Sequence, residues 1–131
     1  MKKLLSLAAL CLFLLPLHAQ DTKPGKQNLV IKEWNTNAKG TGKVLDHVTT
    51  YNAEGKKIEE IEYNTDGQKW RKKYEYGPDG RLSTEYVYDK YNKLQTYKKF
   101  EFNELGRKKI QYTYNAKGKL LGIKQFEYIA Q

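Results

Sequence analysis

The sequence predicts an all-β fold: an antiparallel meander of about eight strands, joined by type I plus Gly-bulge hairpins, forming an open curled sheet or a small barrel-like structure. Three observations lead there. A turn of the form Asn/Asp-x-x-Gly-Lys/Arg returns every 12 to 14 residues from Asn52 onward, each time directly after an aromatic. The runs between turns are short and rich in Tyr, Phe, Ile, Val and Thr, which suit a pleated surface. No apolar period of 3.6 residues survives, because Gly or Asn recurs too often for a helix. A repeat of one strand plus one turn defines an architecture before any single residue is weighed.

In chain order, the first element lies outside that fold. Lys2 and Lys3 precede an apolar run from Leu4 to Leu15 that is too short to span a bilayer. Pro16 breaks it and Leu17-His18-Ala19 ends on a small residue, so residues 1–19 are expected to be a secretory signal peptide. Cys11 lies inside the apolar run, so the remaining domain has no cysteine and no disulfide is expected. Residues 20–28 read as a flexible lead-in, and 29–131 as a single β-repeat domain. No second apolar run offers a transmembrane segment.

The first strand is expected over Leu29 to Trp34, before an NAKG turn (Asn37 to Gly40) identical to the one at Asn115 to Gly118. The other turns are NAEG at Asn52, NTDG at Asn64, GPDG at Gly77, DKYN at Asp89 and NELG at Asn103. Asn or Asp in first place accepts hydrogen bonds from the amides that follow. Pro78 suits the second position of a type I turn, and Gly in fourth place takes the positive φ that closes a three-residue loop. Asn92 replaces Gly in one turn as the next most tolerant residue.

Pairing each turn's first residue with the residue after its Gly sets a register. Tyr76 then faces Leu82, Tyr74 faces Thr84, Lys72 faces Tyr86 and Trp70 faces Tyr88. Phe100 faces Ile110, Tyr114 faces Leu120 and Gly122 faces Tyr112. This register gathers the rings of YEY (Tyr74 to Tyr76), YVY, FEF, YTY and FEY on one face as a continuous stripe, with Tyr74 and Tyr86 on the same side. Two places break the parity. After NTDG, Tyr63 meets Lys69 and Glu62 meets Trp70, so a β-bulge is expected near Gln68 to Trp70 or in Ile58 to Ile61. In the last strand, Leu121 and Ile123 face away from Leu120, which leaves it apolar on both sides.

The rings serve first as the core of a sheet with one wet face. Some are also expected to stay open to a ligand. Lys72, Lys98 and Lys124 share the aromatic face in this register and argue against complete burial. The candidate ligand-binding residues are therefore Trp70, Lys72, Tyr86, Tyr88, Lys98 and Tyr112, which suit a glycan, a peptide or another envelope protein. An oligomer formed through the apolar face or the end strand is the other expected use.

The formal charge of +9, or +7 without Lys2 and Lys3, comes from lysines mixed with glutamates through every strand. That pattern keeps a sheet soluble and discourages edge pairing, and no nucleic acid is expected. Catalysis is not expected either. His47 stands beside Asp46, and neighbours in a strand point to opposite faces. Glu59, Glu60 and Glu62 cluster, but Glu59 lies across the strand from the other two. No metal-ligand spacing, phosphate loop or nucleophile elbow occurs, so neither metal nor cofactor is expected.

The motif Tyr-Asp/Asn-x-x-Gly-Arg/Lys-Leu, as in YGPDGRL (Tyr76 to Leu82), YDKYNKL (Tyr88 to Leu94) and YNAKGKL (Tyr114 to Leu120), resembles the YD repeat of Rhs-type proteins over about Tyr51 to Tyr128. The resemblance implies hairpin architecture in a bacterial envelope or secreted protein. Large members form a curling shell, for which six units are too few. MORN-like repeats, found in some antitoxins, are similar and form the rival family. Neither supplies catalytic residues. The function expected is an exported, periplasmic or secreted binding module, with a structural or assembly protein and a periplasmic immunity protein as alternatives.

Overall fold

The computed structural model describes residues 25–131; the signal segment 1–19 and residues 20–24 of the lead-in lie outside them. Eight strands follow one another as an antiparallel meander: β1 (Val30–Asn35), β2 (Val44–Tyr51), β3 (Lys57–Asn64), β4 (Gly67–Tyr76), β5 (Leu82–Tyr88), β6 (Leu94–Phe102), β7 (Lys108–Asn115) and β8 (Leu120–Gln125). They form one sheet in the order β1 to β8. Only consecutive strands touch, so β1 and β8 do not meet and the sheet is open. No helix occurs among the described residues.

The turns build as their residues dictate. At Asn52 the side-chain Oδ1 accepts the amides of Glu54 and Lys56, each at 3.0 Å. The Asn52 carbonyl accepts the Gly55 amide at 3.0 Å, and the Asn52 amide donates to the Lys56 carbonyl at 2.9 Å. The same four bonds recur at Asn37, Asp89, Asn103 and Asn115. The fourth residue is left-handed each time, Gly55 at φ 76° and Asn92 at φ 60°. NAKG at Asn37 is therefore a full member of the set. Two turns differ: in GPDG, Gly77 keeps the two backbone bonds and Asp79 Oδ1 accepts the Arg81 amide at 3.0 Å, and NTDG is a two-residue loop in which Asn64 pairs directly with Gly67.

The register departs from expectation within the first pairs beyond each turn. Tyr76 does pair with Leu82, but Glu75 then pairs with Thr84 and Tyr74 with Glu85, so Ser83 has no partner. The same skip falls at Asp46, Ile58, Lys69, Gln95, Lys109 and Leu121. Every hairpin thus carries a β-bulge in the strand that follows its turn. The one expected near Gln68 to Trp70 is there, at Lys69, yet Glu62 and Trp70 remain partners. Gly122 pairs with Thr113 and not with Tyr112, which pairs with Ile123.

Each bulge flips the parity of the next strand. Tyr74 and Tyr86 therefore project from opposite faces, and the continuous aromatic stripe does not exist. Tyr51, Tyr74, Tyr76, Phe100 and Phe102 lie on one side, here the Tyr74 face. Tyr63, Tyr86, Tyr88, Tyr112 and Tyr114 lie on the other, the Tyr86 face. The structural repeat is the hairpin, two sequence units long.

With one layer and two wet faces, no hydrophobic residue is buried among those described; only Thr49 and Thr84 are. Rings are covered laterally instead. Tyr97 stacks on Tyr114 at 5.0 Å and contacts Tyr86 at 6.0 Å. On the Tyr74 face the basic residue that follows a turn reaches the aromatic two turns on. Lys56 caps Tyr76 at 5.2 Å, Arg81 caps Phe102 at 5.8 Å and Arg107 caps Tyr128 at 5.3 Å. Ten cations lie over rings among the described residues, so they serve as the missing second layer. Lys26 opens the series over Tyr51 at 5.0 Å, with the Asn28 amide bonded to the Asn52 carbonyl at 2.9 Å.

Gly80 sits at φ 77° and its carbonyl accepts Lys56 Nζ at 2.9 Å. Gly80→Ala is expected to lower stability by about 1–2 kcal/mol through left-handed backbone strain. Gly122 has no positive φ and open space where a Cβ would stand. Gly122→Ala is expected to leave stability unchanged or raise it by about 0.4–1 kcal/mol. Urea unfolding of both variants checks the contrast.

Candidate functional site

Cross-strand pairing lines the Tyr74 face with rows of side chains. One row runs Ile31–Thr49–Glu60–Lys72–Val87–Thr96–Asn115 from β1 to β7. The next on one side runs Tyr74–Glu85–Lys98–Thr113–Gly122 from β4 to β8. On the other side lies Glu33–His47–Glu62–Trp70. Charged groups here are sheltered: the Glu85 side chain is 13% exposed and that of Glu60 16%.

The six candidate residues divide between the two faces. Trp70, Lys72 and Lys98 share the Tyr74 face, whereas Tyr86, Tyr88 and Tyr112 stand on the opposite one. They do not form a single site. Trp70 is half-buried, with the His47 ring edge-on at 6.0 Å and Lys72 Nζ at 5.0 Å from its centroid. Lys72 and Lys98 flank the one Glu85 carboxylate at 3.8 and 3.9 Å, so two cations share one anion. On the other face, Tyr88 is capped by Arg71 at 5.3 Å, while Arg71 Nε also donates to Glu59 at 2.9 Å. Tyr86 and Tyr112 donate their hydroxyls to Glu75 and Glu101, at 3.3 and 3.0 Å. These rings are already partnered within the sheet.

Sequence reasoning passed over a cluster beside Trp70. His47 Nδ1 lies 3.2 Å from Glu33 and Nε2 3.8 Å from Glu60, and Nε2 is buried without a hydrogen-bond partner. Lys57 reaches Glu60 at 3.1 Å, and Tyr74 donates its hydroxyl to the other Glu60 oxygen. Burial raises the Glu60 carboxyl, but the hydrogen bonds from Tyr74 and Lys57, with the charges of Lys57 and His47, outweigh it and lower the pKa. Burial, followed by the bond to Glu60, holds the Tyr74 phenol well above its ordinary value. Glu60 and Tyr74 are fourteen residues apart, and they meet because Glu60 pairs with Lys72, two residues before Tyr74 on the same face. The expected separation of Glu59 from Glu60 and Glu62 holds, since Glu59 faces Arg71 on the Tyr86 side.

The arrangement binds charge and holds rings, but offers no enclosed reaction chamber. An open cleft of about 660 Å3 lies between the β2–β3 and β4–β5 turns, lined by Asn52, Lys56, Ile58, Tyr74, Tyr76 and Pro78, and includes none of the six candidates. No group of three or more His, Cys, Asp or Glu suited to a metal occurs among the described residues. No helix among them is long and apolar enough to cross a membrane. No protein-family model matches the sequence, and no curated protein matches it.

The Glu60 pair makes stability depend on pH at both ends. A carboxyl lowered by folding stabilises above its unfolded pKa, about 4.3, and that contribution disappears as pH falls through the folded value. A phenol raised by folding stabilises fully below about pH 10, and its contribution is lost as pH rises through the folded value. Glu60→Gln is expected to flatten the acid limb, and Tyr74→Phe the alkaline limb. Urea midpoints across pH measure both.

Proposed function

We propose that this protein is an exported binding module of the bacterial cell envelope, YD-repeat-like in construction and without catalytic activity. The observation that carries the reading is the Tyr74 face around Trp70, Lys72 and Lys98. It combines an indole edge, two lysines on one carboxylate and a sheet surface with no second layer above it. Half-exposed aromatic and cationic surface of this kind suits a glycan or peptide laid across strands. The signal-like segment at residues 1–19 supports export to the periplasm or beyond.

A structural or assembly role is the second reading. Leu121 and Ile123 in β8 are 57% and 55% exposed, and the outer edge of that strand has no neighbour among the described residues. An open apolar edge favours pairing with another chain. Light scattering at high concentration tests it: a monomer with no tendency to associate counts against it.

In a Trp34→Phe background Trp70 is the only tryptophan. Its emission is expected to change on titration with envelope polysaccharides, and Trp70→Ala to weaken binding about tenfold or more, as for a buried aromatic anchor. Silence from the whole panel, together with no loss on Trp70→Ala in a direct binding assay, would end the reading.

A further inference from the structure

Charge is divided unevenly along the meander. Residues 25–88 hold eleven Lys or Arg against ten Asp or Glu, close to neutral. Residues 89–131 hold ten against four. Ion pairing follows the same division, because every carboxylate engaged lies between Glu33 and Glu85. From the second half only Lys98 takes part, and it shares Glu85 with Lys72. On the Tyr74 face of β6, β7 and β8 the strand residues include Lys98, Lys108 and Lys124 but no carboxylate. Glu101 points to the other side, where it holds Tyr112.

Between those lysines the surface is polar and bare. Lys98, Thr113 and Gly122 form one row, and Phe100, Gln111 and Lys124 the next. Nothing stands within 4 Å of where a Gly122 side chain would be. Thr113 and Gln111 together supply hydroxyl and amide groups that both donate and accept. The rings nearby are already covered, Phe100 by Lys108 at 4.5 Å and Phe102 by Arg81 at 5.8 Å. Stacking is thus not what this surface offers; ammonium groups, of which Lys98 alone has a carboxylate neighbour and shares it with Lys72, and hydroxyl-compatible polar groups are.

We propose that the Tyr74 face of β6–β8 binds an acidic polysaccharide, with Lys98, Lys108 and Lys124 meeting its carboxylates and Gln111, Thr113 and the open backbone at Gly122 meeting its hydroxyls. This rests on the binding reading above and names the ligand class for the same face. Lys98 and Lys124 lie two strands and two residues apart, roughly 12 Å between Cα atoms from ordinary strand spacing. One carboxylate cannot touch both, so the ligand is an extended polyanion. A nucleic acid would want free aromatic platforms on this face, and its rings are capped. A lipid surface would want protruding apolar groups here, but Ile123 pairs with Tyr112 on the opposite face.

The test compares polygalacturonate with its carboxyl-reduced, neutral counterpart by calorimetry. Wild-type protein is expected to bind the acidic polymer, more weakly as salt screens the charges, and to leave the neutral one unbound. Lys98→Gln/Lys108→Gln/Lys124→Gln is expected to weaken binding about tenfold, from three solvent-accessible contacts of modest strength, Lys98 and Lys108 being partly buried and Lys124 exposed. Lys73→Gln/Lys99→Gln, on the other face, is expected to match wild type. Equal binding of both polymers, or undiminished binding by the triple variant, overturns the proposal. If the neutral polymer binds and Trp70→Ala abolishes it, this inference fails while the broader reading stands. Binding to phosphatidylglycerol vesicles or an oligonucleotide but not to polygalacturonate also overturns it. Should the triple variant not fold, the two polymers on wild-type protein decide alone.

Discussion

The glycine turn, followed a few residues later by a bulge, is the constraint on which the rest of this sheet depends. At five of the seven turns an asparagine or aspartate oxygen holds two amides, and a left-handed fourth residue closes every loop, so chain reversal is specified locally. The bulge that follows is not local in the same sense. It adds a residue to one side of every hairpin and sends each successive aromatic word to the opposite face. The hairpin, and not the strand, is therefore the unit that repeats.

A sheet built this way has neither a helix nor a second sheet to pack on, and its chemistry follows from that. Rings are shielded by lysine and arginine side chains arriving from two turns away. Those stems cover apolar area while their charged heads stay wet. The basic residues Lys56, Arg81 and Arg107 after turn glycines thus have a packing role that composition alone would assign to solubility. Tyr76 and Tyr128 complete the pattern by donating their hydroxyls to the carbonyls of Lys57 and Lys108, each at 2.7 Å. Charge and ring are one device here, repeated along the array.

The same device separates the two ends of the molecule. Through β1–β5 the glutamates answer the lysines, as in the network of Lys57, Glu60, Tyr74 and His47. From β6 onward the lysines continue while the glutamates thin out. An identical repeat geometry then presents unneutralised charge where it had presented internal pairs. Of the candidate residues read from the sequence, Trp70, Lys72 and Lys98 do share a face. Tyr86, Tyr88 and Tyr112 were misplaced by one parity step, since their strands follow a bulge that the pairing rule omitted.

Turn chemistry determined the all-β class, the antiparallel meander, the eight strands and their approximate bounds, because asparagine, glycine and aromatic positions act over four or five residues. The seven bulge positions, Asp46, Ile58, Lys69, Ser83, Gln95, Lys109 and Leu121, have no residue type common to all; the parity clash after NTDG pointed to the one at Lys69, and the other six carry no such signal. Tertiary structure decided which rings face which side and that β1 and β8 stay apart. Each of those outcomes depends on register summed over successive hairpins. A one-residue offset invisible within a single hairpin becomes a change of face in the next strand.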